Sequence, residues 1–202
     1  MPKVGSAALL VALLGAGLAG CGGDDGPATA PSPAPTSIAG LDSAAMRVVR
    51  VPFCDLVPAA NIRTAVGGTP ATATTWGNGD PVPGTAKADA AHELGCSWTG
   101  PSGTTARAWV FARPVTAAFA GTLVRAAGRE RGCRAVAGPT FGTPTLTQTC
   151  ARAGGIRRVR HAGLFGDTWL TCEVAATGGA AQVARTTDAW CVSVADALDA
   201  RR

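Results

Sequence analysis

Apolar and polar positions along the second half of the chain switch repeatedly between helical and strand-like spacing. In "CDLVPAANIRTAVGG", residues 54–68, Leu56, Ile62 and Val66 fall on one side of a helical unit, and Gly67-Gly68 supply a stop. "LGCSWT" (94–99) and "ARAWVFAR" (106–113) are strand-like runs rich in Trp, Val and Phe. "GPSG" lies between them as a turn, which predicts a hairpin. Pro114 ends the second strand, and "VTAAFAGTLVRAAG" (115–128) follows as a helix with Val115, Phe119, Leu123 and Ala126 on one face.

A second hairpin is predicted from "TPTLTQTCARA" and "IRRVRHA", which flank Gly154-Gly155, and "DTWLTCEVA" (167–175) reads as a further strand. The last helix starts near Gly179, with Val183, Thr187, Trp190, Cys191, Val194 and Leu198 on one stripe. The order is helix, two strands, helix, three strands, helix. It predicts an α+β domain, an antiparallel sheet of about five strands with helices packed on it. Gly68 to Ala91, containing "TTWGNGDPVPG", shows no clear element. Loops of this length in compact domains are either functional or disordered, and Trp76 within it is a candidate binding aromatic or a plug over the core.

The N-terminus has a different character. Lys3 precedes the apolar run Ala7 to Leu14, which is too short to span a ~30 Å hydrocarbon core comfortably. Small residues follow, as before a signal-peptide cut. Leu18-Ala19-Gly20-Cys21 resembles the lipobox of bacterial lipoproteins, which implies a lipid anchor on Cys21 and removal of residues 1–20. Gly15 to Gly20 also satisfies G-x-G-x-x-G, but no strand–helix context surrounds it, so it is no dinucleotide site. Residues 21–45, rich in Gly, Pro, Ala, Ser and Thr, are expected as a flexible tether, and 46–202 as one secreted domain.

This placement changes the meaning of the cysteines. There are seven; with Cys21 acylated, Cys54, Cys96, Cys133, Cys150, Cys172 and Cys191 remain, an even set in an oxidising compartment. None forms C-x-x-C. Of about 15 connectivities available to six cysteines, element order favours Cys54–Cys96, Cys133–Cys150 and Cys172–Cys191. These tie the first helix to the first strand, close the excursion after the middle helix, and join the last strand to the last helix.

Candidate chemistry is sparse. The two histidines are His92, beside Glu93, and His161. His161 and Asp167 bracket "AGLFGD", and with Ser97, Ser102 or Ser193 they would compose a hydrolase triad, but no G-x-S-x-G elbow supports it. Glu173 completes the short set of acid–base candidates. No H-x-x-x-H pair or EF-hand loop signals a metal, and no cofactor is expected. Formal net charge is +5, and loss of Lys3 with the leader leaves about +4, 17 basic against 13 acidic residues. The basic run Arg157, Arg158, Arg160 and His161 suits an anionic envelope polymer, lipid or protein rather than nucleic acid, or a solvated strand face.

"FCDLV", "HELGCSW", the Trp- and Val-rich strand and "GDTWLTCEV" before a Cys-bearing terminal helix resemble the actinobacterial lipoproteins grouped as domain of unknown function 3558, over about residues 50–199. The resemblance implies a secreted, cysteine-stapled lipoprotein, carries no established activity, and suggests a Mog1p/PsbP-like sandwich of sheet and helices. The expected role is a membrane-anchored, non-catalytic binding or scaffolding module on the extracytoplasmic face of a bacterial membrane. The alternative is a secreted hydrolase with an unrecognised site, to which His161 and Asp167 would belong.

Overall fold

The computed structural model of the chain describes residues 37–83 and 89–201. The leader, Cys21 and the tether as far as residue 36 lie outside the described residues, as do 84–88 of the long loop. The elements are α1 (Ala59–Val66), β1 (Thr72–Trp76), β2 (Glu93–Thr99), β3 (Thr105–Phe111), α2 (Ala117–Ala127), β4 (Cys133–Ala135), β5 (Thr145–Ala151), β6 (Ile156–Phe165), β7 (Thr168–Thr177) and α3 (Ala180–Ala197). The strands form one sheet in the order β1-β2-β3-β7-β6-β5-β4, antiparallel throughout. The class is α+β as expected, with seven strands rather than about five.

The two additional strands are the edges. β1 is "TATTW", exposed at four of its five positions, and lies inside the stretch expected to be loop. β4 has three residues, and its pairing of Cys133 with Cys150 is set by the neighbouring strand. Neither carries an alternating apolar signal. Short polar edges of this kind protect a sheet from pairing with other chains.

Three local expectations need correction. The first helical unit is interrupted: a 3-10 turn spans Cys54–Leu56, and α1 starts only after Pro58. The proline holds Val57 in an extended conformation and so prevents a continuous helix. Leu56 is left exposed. In α2 the buried face centres on Ala120, flanked by Leu123, Val124 and Ala127, whereas Phe119 is 48% exposed. Thr116 caps α2 by accepting the Phe119 N–H at 3.2 Å, which places Val115 before the helix, where it is buried. The core also reaches back beyond Met46. Ile38, inside the stretch expected as tether, is buried with Met46 and Phe53.

The sheet has two distinct faces. Cys172–Cys191 joins β7 to α3, so Leu170, Cys172 and Val174 face that helix, as do Ala106 and Ala108 of β3 and Val159 of β6. All the expected stripe residues of α3 are buried there. Trp190 packs edge-on against Trp98 at 5.4 Å and donates its indole N–H to Arg107 O at 3.0 Å. α2 covers part of the other face, over Leu146, Ala162, Leu164 and Trp169. Two glycines permit close approach. A Cβ on Gly95 would lie 2.1 Å from the Trp76 ring, and one on Gly163 would lie 1.4 Å from Phe141 O.

The three disulfides are Cys54–Cys96, Cys133–Cys150 and Cys172–Cys191, the pairs that element order favoured. Each ties β2, β5 or β7 to a neighbouring segment. No helix among the described residues is long and apolar enough to cross a membrane.

Candidate functional site

Strand alternation divides the basic run of β6 between the two faces. Arg158 and Arg160 pair in register with Ala175 and Glu173 and point to the α2 side; Arg157, Val159 and His161 point to the α3 side. The residues singled out in sequence therefore belong to three environments.

The first is an ionic network on the α2 face. Glu173, only 4% exposed at its side chain, accepts from Arg160 Nε at 2.8 Å and lies 3.6 Å from Arg158 and 3.8 Å from Arg107. Glu130, just beyond α2, meets Arg158 at 2.6 Å, Arg160 at 3.3 Å and Arg152. Burial acts to raise the Glu130 pKa, but the Arg158 hydrogen bond and the charges of Arg158 and Arg160 outweigh it, and the carboxyl titrates below its usual range. Trp109 lies between Arg107 at 5.6 Å and Arg160 at 5.5 Å, and Arg107 also stacks on Trp76 at 5.5 Å. Trp76 is buried against Gly95, so it plugs the sheet rather than offering a free ring. Beside this ladder, a cavity of about 340 Å³ opens between α2 and the sheet, with Trp109, Phe111, Leu123 and Trp169 in its walls and Arg160 and Glu130 beside them.

The second environment surrounds His161. Its ring is buried; Nδ1 lies 3.1 Å from Thr147 Oγ1 and Nε2 lies 2.8 Å from Asp188 Oδ1, the latter at an angle that makes no hydrogen bond. This is a hydroxyl–imidazole–carboxylate series, but Gly138 lies directly on Thr147, where a Cβ would sit 2.5 Å from Oγ1. Asp167, the expected partner of His161, instead pairs with Arg50 at 2.5 Å, and that hydrogen bond lowers its pKa. None of the three candidate serines joins His161: Ser97 faces the α2 side, Ser102 contacts Thr104, and Ser193 accepts from Asn61. His92 is exposed ahead of β2, and Glu93 opens that strand.

The third environment is the corner where β4, β5 and β6 meet the start of α3. Arg129 and Arg131 follow α2, Arg134 lies on β4, Arg152 follows β5, and Arg157 starts β6; all five are exposed. Arg158 donates to Cys150 Sγ at 2.9 Å and Arg152 contacts Cys133 Sγ at 3.5 Å. Glu130, Cys133 and Cys150 place ligand atoms within 4.8 Å of one another, but both sulfurs are committed to the disulfide, which removes them as metal ligands. This concentration of charge has a sequence signal beyond the run at 157–161. Residues 94–166 contain ten arginines and a single acid, Glu130.

Fold and surface together define a disulfide-stapled α+β domain with one strongly cationic corner. No family model matches the chain, and no curated protein matches it. Among solved structures, the crystal structure of the extracellular domain of PknH from Mycobacterium tuberculosis matches 75% of this chain and 99% of that one. It does so at 14% identity with a TM-score of 0.45. A superposition this loose defines neither a fold family nor a role.

Proposed function

We propose that the chain is an extracytoplasmic, non-catalytic binding module, anchored to a bacterial membrane through an acyl group on Cys21, that recognises an anionic partner through the cationic corner. The observation that carries this reading is the segregation of charge. Ten of the arginines fall in residues 94–166; Glu173 and Glu130 pair with Arg107, Arg152, Arg158 and Arg160, while Arg129, Arg131, Arg134 and Arg157 remain exposed around the β4 edge without an acidic partner among the described residues. Such a surface raises the local concentration of anions and speeds their encounter. Three disulfides support an oxidising compartment. The lipobox supports the anchor, and the motifs shared with the actinobacterial lipoproteins support a place among them.

The test is capture of the detergent-solubilised full chain on immobilised envelope polymer across a salt series, where the acyl anchor does not itself hold the protein. The variant Arg129→Gln/Arg131→Gln/Arg134→Gln is expected to lose retention and flatten the salt dependence; undiminished retention refutes the reading. Intact mass is expected to show the acyl addition on Cys21, and Cys21→Ala is expected to release the domain or stall processing. Turnover of an ester, peptide or glycoside substrate that is abolished by His161→Gln would replace the binding module with the hydrolase.

A further inference from the structure

The cationic corner contains a cavity of about 490 Å³ between the β4-β5-β6 edge and the first turn of α3. Its chemistry is divided. Arg134 and Arg157 line it, while Val159, Ala180 and Ala184 supply an apolar wall. Arg157 donates Nε to Gly178 O at 3.2 Å, which fixes its guanidinium next to the start of α3 and leaves both terminal nitrogens uncommitted. Arg134 has no hydrogen-bond or ion-pair partner among the described residues.

The helix wall adds positive potential to this arrangement. Gly179 caps α3 without a side-chain acceptor, and its first turn holds no acidic residue. The positive end of the α3 dipole and a fixed guanidinium are therefore held side by side, and nothing in the first turn neutralises them. A cavity of this size, with arginines on one side and methyl groups on the other, suits a small ester with one anionic group. Guanidinium forks and helix N–H groups from separate directions fit an oxyanion with three acceptor oxygens better than a two-oxygen carboxylate.

We infer that this cavity binds the phosphoryl group of a small organic phosphate, the glycerol phosphate class being the size that fits. The inference rests on the anionic-partner reading and narrows it to one site and one chemistry. The source of the phosphate is either a free ester or a lipid headgroup, and two soluble probes separate them.

The experiment is titration calorimetry on the full chain with glycerol 3-phosphate and with dihexanoyl phosphatidylglycerol below its micelle concentration, using glycerate as the carboxylate control. Arg157→Gln and Arg134→Gln, both at exposed positions, are each expected to weaken binding about tenfold. Arg125→Gln, an equal change of charge on exposed α2, is expected to leave it within about twofold. Binding of the monoester alone identifies a free phosphate, and binding of the phosphatidylglycerol, with or without the monoester, identifies the headgroup. Equal weakening by Arg125→Gln, or equal affinity for glycerate, overturns the site in favour of diffuse attraction. Capture on immobilised envelope polymer with no binding of either phosphate overturns this inference and leaves the broader reading standing. Loss of both refutes both.

Discussion

Replacing Glu173 with Gln removes the carboxylate at the centre of the ionic network while keeping its shape. The side chain is 4% exposed and lies 2.8, 3.6 and 3.8 Å from guanidinium nitrogens of Arg160, Arg158 and Arg107. At an effective dielectric near 20, unit charges at those separations attract by about 6, 5 and 4 kcal/mol. Guanidinium charge is spread over three nitrogens, so these are upper bounds. Against them stand several kcal/mol of carboxylate desolvation and the mutual repulsion of the three cations. The intact network is therefore close to balanced, but the variant retains the repulsion and loses the attraction. Its expected cost is about 3–5 kcal/mol, read by urea unfolding of the oxidised protein at neutral pH. Adding Arg160→Gln is expected to recover at least about 1 kcal/mol, because the most closely held cation leaves with its partner. A loss below about 1 kcal/mol for Glu173→Gln, or strictly additive losses in the double variant, refutes the account of Glu173 as the hub.

Gly95→Ala places a methyl group where the Trp76 ring lies, so Trp76 is displaced from the sheet. The expected loss is about 2–4 kcal/mol, a fraction of the burial of a Trp side chain, and a change below about 0.5 kcal/mol in thermal unfolding refutes the close packing. Opening Cys133–Cys150 by Cys133→Ser/Cys150→Ser removes a closure spanning 17 positions, and opening Cys54–Cys96 removes one spanning 42. Loop entropy predicts losses of about 3 and about 4 kcal/mol respectively, and a reversed order in chemical denaturation contradicts the ranking. Glu130 has a folded pKa below 4.5, so its ionised form stabilises the fold above that value, and the contribution disappears as pH falls through the lowered pKa. Glu130→Gln is therefore expected to flatten the acid limb of the stability–pH curve, and an unchanged limb refutes the assignment.

The elements legible in the sequence are those whose pattern is imposed by a face on the core. β2 and β3, with Trp98, Ala106 and Ala108 inward, and α3, with Trp190 and Cys191 on its stripe, express burial directly. β1 and β4 do not, because an edge strand with solvent on its outer side needs little apolar content. α2 misleads for another reason. Its fully buried position is Ala120, a small residue, while the larger Phe119 turns outward to meet Phe111 edge-on at 6.3 Å. Among the site residues, the basic run was visible but its division was not, since one position of strand register sends Arg157 and Arg158 to opposite faces. Asp188 had no local signal at all. It reaches His161 only because α3 crosses β6.

The unequal fastening of the two sheet edges sets an order of local opening. β4 is held to β5 by Cys133–Cys150 and by the arginines around it, whereas β1 has no disulfide of its own and exposes four of its five residues. Amide hydrogens of β1 will exchange through excursions much smaller than global unfolding, while those pairing β3 with β7 require the whole domain to open. Each excursion of β1 lifts Trp76 from Gly95 and frees Arg107 from one of its two aromatic partners. The strand farthest from the cationic corner in sheet order is thereby the hinged margin of the domain, and the corner is its rigid one.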